Sequence, residues 1–420
     1  MRKIAFSVGL AAVGTVALHA QDSSSMQTSK IWSLSGTLRG FYDDNYNTAP
    51  AGSPLRRSSI GFEVSPSFGL DIPLEQTDFG LRYTYGLYYY QDRQDIGANP
   101  IDQSDQGDVW LSHSFNENWQ ASVRDSLVYS DEPSLVGGGQ TLRTSENTLV
   151  NTGSVKLDTQ WTRLLSTELG YQNTLYHYES NPYSGELSRL ENLASVDLFW
   201  QVLPTAKVGI GYQYQQVNYT GNQVILAGAP TYMSDSRDNR SHFVYANVQY
   251  NPLDNLTVAL KLGAQITDYY NPPAGVSSTS TTSPYVDLSG TYTYLPGSYV
   301  QVGFTQTRTA APFITPASAS GEIDLDQESS TIYGSINHQF TPQLVGNING
   351  KIQYSTVNGG ADDGTSSTWY SLGLNLSYAF NPHISAEIGY NFDDLDSNLP
   401  ASFGQSYKRN RAYIGVTAAY

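Results

Sequence analysis

Along most of this chain, apolar and polar residues alternate with a period of two. Within 79–90, Phe79, Leu81, Tyr83, Tyr85 and Leu87 share one phase, and Gly80, Arg82, Thr84 and Gly86 the other. Leu256, Val258, Leu260, Leu262, Ala264 and Ile266 alternate with Thr257, Ala259, Lys261, Gly263 and Gln265. Tyr370, Leu372, Leu374, Leu376, Tyr378 and Phe380 alternate with Ser371, Gly373, Asn375 and Ser377. Successive side chains on a strand point to opposite faces, so this pattern predicts strands with one apolar and one polar face.

Short turns punctuate the strands, usually with Pro or Asn inside them. They fall at Ile72–Glu75, Asn116–Asn118, Asp158–Gln160, Leu203–Thr205, Asn251–Asp254, Leu295–Gly297, Thr341–Gln343 and Asn381–His383. From Pro73 to Pro382 they recur at intervals averaging about 44 residues. Proline fixes φ and ends a ladder, which is turn chemistry. Between them lie longer polar segments rich in Gly, Ser, Asp and Pro: 91–106, 132–145, 220–238, 271–283, 309–326 and 359–366. A soluble propeller also repeats at this length, but its blades do not alternate short with long connections. The alternation predicts an all-β fold: a transmembrane antiparallel up-and-down β-barrel of about 18 strands over 32–420. Its turns are then periplasmic, its long loops extracellular, and both termini periplasmic.

Charge placement separates a membrane barrel from a soluble sandwich. Arg39, Glu63, Arg82, Arg124, Lys156, Glu168, Asp197, Lys261, Asp287, Lys351 and Glu387 all fall on the polar phase of their strands, as does Asp71 near a turn. A basic residue at the lipid midplane costs roughly 2–4 kcal/mol, so the polar phase is the interior and these residues are expected to line the pore. Asp125 is the exception, sitting on the apolar phase of Ala121, Val123 and Leu127, and is read as a bulge or shifted register. Tyr42, Tyr88, Tyr250, Tyr294 and Tyr390 are expected in aromatic girdles.

Composition supports this picture. Charged residues make up 14% of the chain and tyrosines number 32, whereas soluble domains carry roughly 25% charge. The absence of cysteine excludes thiolate chemistry and Cys-ligated metals. Residues 1–20 read as a signal peptide: Arg2 and Lys3, an apolar run from Ile4 to Val16, then Ala17-Leu18-His19-Ala20 as a cleavage site. Residues 21–31 form a short periplasmic tail. Losing Arg2 and Lys3 moves the net charge from −16 to −18. The final strand alternates Ala412, Ile414, Val416, Ala418 and Tyr420 with Tyr413, Gly415, Thr417 and Ala419. Its aromatic-ended apolar row, Ile414, Val416, Ala418 and Tyr420, resembles the signal read by barrel-assembly machinery.

Little reactive chemistry is present. His338 and His383 lie beside turns, His113 at a strand end, and His177 and His242 near the outer rim without a recognisable catalytic partner. No HExxH, GxSxG or phosphate loop occurs, and no basic patch points to nucleic acid. Asp92, Asp95, Asp102, Asp105 and Asp108 read as an acidic loop cluster, as do Glu322, Asp324, Asp326 and Glu328, then Asp362 and Asp363, then Asp393, Asp394 and Asp396. Their spacing matches no EF-hand, and solvated loops are the preferred reading over divalent-cation sites. No enzyme activity, metal or cofactor is expected. The expected partners are outer-membrane lipids, lipopolysaccharide, the assembly machinery, and small hydrophilic solutes or saccharides. On the strands, six basic residues face six acidic ones, which predicts weak ion selectivity with a mild cation preference at the acidic loop mouth.

Tyr42-Asp43-Asp44-Asn45, Ser65-Pro66-Ser67-Phe68-Gly69-Leu70, the Tyr-rich strand 82–90 and the repeated turn-then-strand pattern of Phe340-Thr341-Pro342-Gln343-Leu344 resemble the β-barrel porin type 2 family. That resemblance implies an outer-membrane barrel of unassigned cargo, some members being associated with exopolysaccharide-export operons. It brings no functional residues with it. Two functions follow: a porin-like channel for passive diffusion of small hydrophilic solutes, or a conduit or structural partner in exopolysaccharide export. A sugar conduit should present aromatic stacking platforms, for which Phe41, Trp110, Phe199, Phe243, Tyr245 and Tyr333 stand on the inward phase.

Overall fold

A computed structural model describes residues 30–132, 147–179, 183–228, 230–311, 323–360, 362–399 and 406–420. The expected signal peptide therefore lies outside the described residues. Eighteen antiparallel strands form one sheet that closes on itself. In chain order they are β1 (Trp32–Asp43), β2 (Ser59–Pro73), β3 (Thr77–Tyr90), β4 (Ile101–Asn116), β5 (Trp119–Ser130), β6 (Thr148–Gln160), β7 (Leu165–Tyr178), β8 (Arg189–Leu203) and β9 (Ala206–Tyr219). A small loop hairpin, β10 (Val224–Leu226) and β11 (Tyr232–Met233), intervenes. The wall resumes with β12 (Asn239–Leu253), β13 (Leu256–Tyr269), β14 (Thr279–Leu295), β15 (Ser298–Thr309), β16 (Asp326–Gln339), β17 (Leu344–Asn358), β18 (Ser366–Asn381), β19 (Ile384–Ser397) and β20 (Tyr407–Ala419). The ring shuts where β1 pairs with β20 from Ser35 opposite Ala419 to Asp43 opposite Arg411.

Turn chemistry at the short end is built from side chains that accept backbone N–H bonds. Thr341 Oγ1 accepts from Gln343 and Leu344, and Asn381 Oδ1 accepts from His383 and Ile384. One turn falls later than the sequence indicates: β6 runs through Asp158 to Gln160, and the turn is 161–164, closed by Thr162 Oγ1. Strands also reach further toward the long-loop end than polarity implied. Asp102, Asp105 and Asp108 lie within β4, Asp326 and Glu328 within β16, and Asp393, Asp394 and Asp396 within β19.

Registers fix which side chains face outward. Leu38, Ile210, Val244, Ile332 and Ile414, spread around the ring, are each more than half exposed, as a lipid-facing surface requires. Rings mark both ends of this belt: Trp119 meets Trp161 edge-on at the turn end, and Phe62 stacks on Tyr89 toward the loops. Tyr42, Tyr250, Tyr294 and Tyr390 share the outward phase, but Tyr88 does not. It faces inward and packs against the Phe41, Tyr46 and Tyr90 cluster. Asp125 needs neither bulge nor register shift. It pairs regularly with Val109 on β4 and Gly153 on β6, and so points outward.

On the inner face, large rings lie flat over glycines of the neighbouring strand: Phe41 over Gly61, Trp110 over Gly80, Tyr333 over Gly303 and Tyr413 over Gly389. A Cβ at any of these glycines would overlap the ring. Gly80→Val is expected to lower the unfolding free energy by about 1–3 kcal/mol through overpacking. Gly36→Val should be neutral, since nothing lies within 4 Å of a Cβ built there. Urea unfolding of the two variants in one detergent checks the pair.

Candidate functional site: the inner wall and its mouth

All eleven strand charges singled out from the sequence sit on the inward phase, and the structure gathers most of them into separate networks. Arg39 on β1 bonds Glu63 on β2 at 2.7 Å and Glu387 on β19 at 2.6 Å. It reaches Glu387 across β20 because the intervening inward position is Gly415, where a Cβ would stand 2.7 Å from Arg39 Cγ. Ser65 donates to Glu63, and Asn375 to Glu387. A second network centres on Asp197, which accepts from Asn247 at 2.6 Å and from Lys261 at 3.2 Å. Gly211 leaves space here for both Asp197 and the Tyr245 ring. In the third, Lys156 bonds Asp158 at 3.0 Å and Glu168 at 3.2 Å, and Gln249 donates to Glu168.

The remaining charges are less engaged with one another. Asp287 stands opposite Lys261 and Arg82 opposite Asp108 in register. Lys351 Nζ lies over the Trp369 ring, 3.9 Å from its centroid. Arg124 is exposed on the inward phase and makes no ion pair among the described residues. Paired charges of both signs satisfy each other locally, which lets a polar wall exist without a strong field of one sign.

Sequence reading placed Asp326 in an acidic loop cluster but missed the arginines nearest the mouth and their pairings. Arg308 makes a two-pronged pair with Asp326, both bonds 2.9 Å, and both side chains are buried. Arg409 pairs with Asp43 at 2.6 Å and also with Glu132. Glu132 lies just past β5, five strands around the wall from β20, so the chain leaving β5 turns inward over the opening. Nothing local in the sequence marks a contact between positions 277 residues apart.

Other loops pack together above β9–β16. Ile225, Leu226, Tyr232 and Ile323 bury a small core with Val276 and Leu325. Arg237, fully buried, donates to the Glu186 carbonyl. Asp324 accepts from the Asp362 backbone N–H at 3.4 Å. One carboxylate oxygen each of Asp324 and Asp362, with Nε and Nη1 of Arg237, is buried without a partner among the described residues. No group of three metal-ligating side chains occurs among the described residues. His242 takes the Tyr212 hydroxyl on the outer surface.

Burial, reinforced by the like charge of Asp362 and partly offset by Arg237, pushes the Asp324 carboxyl up to about 6. An unfolded aspartate ionises near 3.9. A raised acid favours the folded loops fully below that value and loses the contribution as pH rises through 6. Amide-exchange protection factors of 323–325 and 359–360, corrected for the intrinsic pH dependence of exchange, are therefore expected to be higher at pH 4.5 than at pH 7.5. Asp324→Asn should remove the difference.

A closed antiparallel barrel with an apolar outer belt, ring-marked at both ends and lined largely by paired charges, defines an integral outer-membrane β-barrel. Residues 327–420, spanning β16 to β20, match the family described as "Putative beta-barrel porin 2". The match is to the family the sequence resembles. It includes Phe340–Leu344 and leaves the N-terminal segments of that resemblance outside it. No curated protein matches the chain. Among solved structures, the chain is similar to OccAB4 of Acinetobacter baumannii, with 13% identity over 93% of this chain and 99% of that one and a TM-score of 0.43. It is also similar to opdK of Pseudomonas aeruginosa, at 11% identity over 93% and 99% with a TM-score of 0.42. For a ferric enterobactin receptor of Pseudomonas aeruginosa, the values are 13% identity, 92% of this chain, 81% of that chain and a TM-score of 0.40.

Proposed function

We propose that this protein is a passive, non-enzymatic diffusion channel for small hydrophilic solutes in a Gram-negative outer membrane. In this reading it is exported behind a cleaved leader at 1–20 and inserted through its Ile414, Val416, Ala418 and Tyr420 row. The observation that carries the channel reading is the inner wall, which bears charges of both signs, most of them in self-satisfied networks. A barrel of 16 to 18 strands is wide enough for an aqueous path. The eleven inward charges, Arg39 through Glu387, are then the polar lining of that path.

The exopolysaccharide conduit calls for rings that stand free to stack on sugars. Phe41, Phe199, Phe243 and Tyr245 are only 2–4% exposed, whereas Trp110 and Tyr333, packed against Gly80 and Gly303, are partly exposed. The four buried rings finish the wall instead of offering faces to a passing chain, which favours the diffusion channel.

Planar-bilayer recording of the folded protein is expected to show stable openings with weak cation preference and no block by added oligosaccharides. Arg124→Glu, which reverses an exposed inward charge, should move the reversal potential further toward cations and leave folding intact. Concentration-dependent sugar block would support the conduit, and a silent but folded barrel would reject the open channel.

A further inference from the structure

We infer that the inner wall at Asp287 and Tyr333 is a binding site for small alkylammonium cations, so that primary amines are solutes this pore favours. The inference rests on the diffusion-channel reading and names a substrate class for it. Five carboxylates belong to the lining read from the sequence, and the wall itself satisfies four of them. Glu63 accepts from Arg39 and Ser65, and Glu168 from Lys156 and Gln249. Asp197 accepts from Asn247 and Lys261, and Glu387 from Arg39 and Asn375. Asp287 is partly exposed, and among the described residues it accepts no hydrogen bond and makes no ion pair.

The nearest cation is engaged elsewhere. Lys261 stands directly across from Asp287 on β13. Its ammonium, however, is 3.2 Å from Asp197 Oδ2, 3.4 Å from the Tyr245 hydroxyl and 4.9 Å from the centroid of that ring. Two carboxylates and one ammonium leave this part of the wall with a negative charge over. Lys351, in register with Tyr333 but one strand further on, does not cancel it. Its Nζ lies over the Trp369 ring of β18, 3.9 Å from the centroid, and so turns away from Asp287.

A ring face lies beside the open carboxylate. Asp287 is opposite Thr305 on β15, two residues from Gly303. Tyr333 reaches over Gly303 from β16: a Cβ built there would stand 2.2 Å from Tyr333 Cζ and 2.4 Å from its hydroxyl oxygen. The ring thus ends over the strand next to Asp287, near enough for the Asp287 charge to act on its hydroxyl. Tyr333 is partly exposed, so one face rests on the wall and the other is open to the lumen. This pairing selects the ligand. A carboxylate without a donor calls for N–H groups, and an aromatic face attracts a cation within about 6 Å of its centroid. A hydrated alkali ion gains from the carboxylate alone. An alkylammonium brings N–H donors to Asp287 and the partly exposed Thr305 hydroxyl, and an apolar tail to the ring.

Calorimetric titration of the folded barrel in detergent with butylammonium chloride reads this site whether or not the pore conducts. Bilayer conductance in potassium chloride reads the channel separately. Butylammonium is expected to bind about tenfold or more tighter than neutral 1-butanol, and tighter than tetramethylammonium, which has no N–H to donate. Asp287→Asn should weaken it about tenfold, the scale of one charge-assisted contact, and Tyr333→Leu about threefold. Asp71→Asn, which removes an inward carboxylate near the turn end, should leave binding unchanged. If Asp287→Asn or Tyr333→Leu does not fold, the other decides. Binding no tighter than that of 1-butanol, binding unchanged in a folded Asp287→Asn or Tyr333→Leu barrel, or an equal loss in Asp71→Asn would each overturn the proposal. A conducting barrel that fails these tests loses the amine site and keeps the channel, whereas a silent barrel fails the channel reading and its binding still decides the site.

Discussion

Closure of the hydrogen-bond ladder is the constraint on which everything else in this molecule depends. In hydrocarbon no water is available to an unpaired N–H or C=O, so a sheet can cross only if it has no edge. The join of β1 to β20 supplies that, extended past the strand ends by the paired bonds between Leu34 and Tyr420. Once the sheet is closed, the period-two geometry of a strand assigns every side chain to one of two solvents. Lipid accepts the Leu, Ile and Val row, and the interior accepts the rest.

The interior has its own packing problem. Inward side chains of a closed wall converge, and a wall of alternating large and small residues resolves the crowding. Inward glycines take the rings laid over them, or, as at Gly415, let a long side chain pass to a partner two strands away. The ion pairs follow from this arrangement. Arg39 meets Glu387 because the residue between them has no side chain, so one glycine sets both packing and electrostatics. Pairing offsets the cost of placing charge against a low-dielectric wall.

Much of this was legible in the sequence because alternation and turn chemistry are local. The strand count, the inward phase of the charges and most short turns are written in neighbouring residues. Strand ends near the mouth were not legible, because both faces turn polar there. Asp102, Ser104 and Gln106 face inward while Gln103 and Asp105 face outward, and a strand polar on both sides reads as loop. Pairings such as Arg409 with Glu132 or Arg237 with Glu186 depend on loops meeting over the opening, which no period encodes. Asp125 was visible as an exception, but that it points outward shows only once its register proves regular.

Asp125 and Asp197 show why the same side chain means different things on the two faces. Asp197 is 3% exposed, yet Asn247 and Lys261 occupy both its oxygens, so its environment is complete within one chain. Asp125 has a single donor on one oxygen and an apolar solvent in front of the other. The first residue is explained by the barrel that contains it. The second keeps one bond within the outer wall, from Asn151, and turns its other oxygen toward the lipid face.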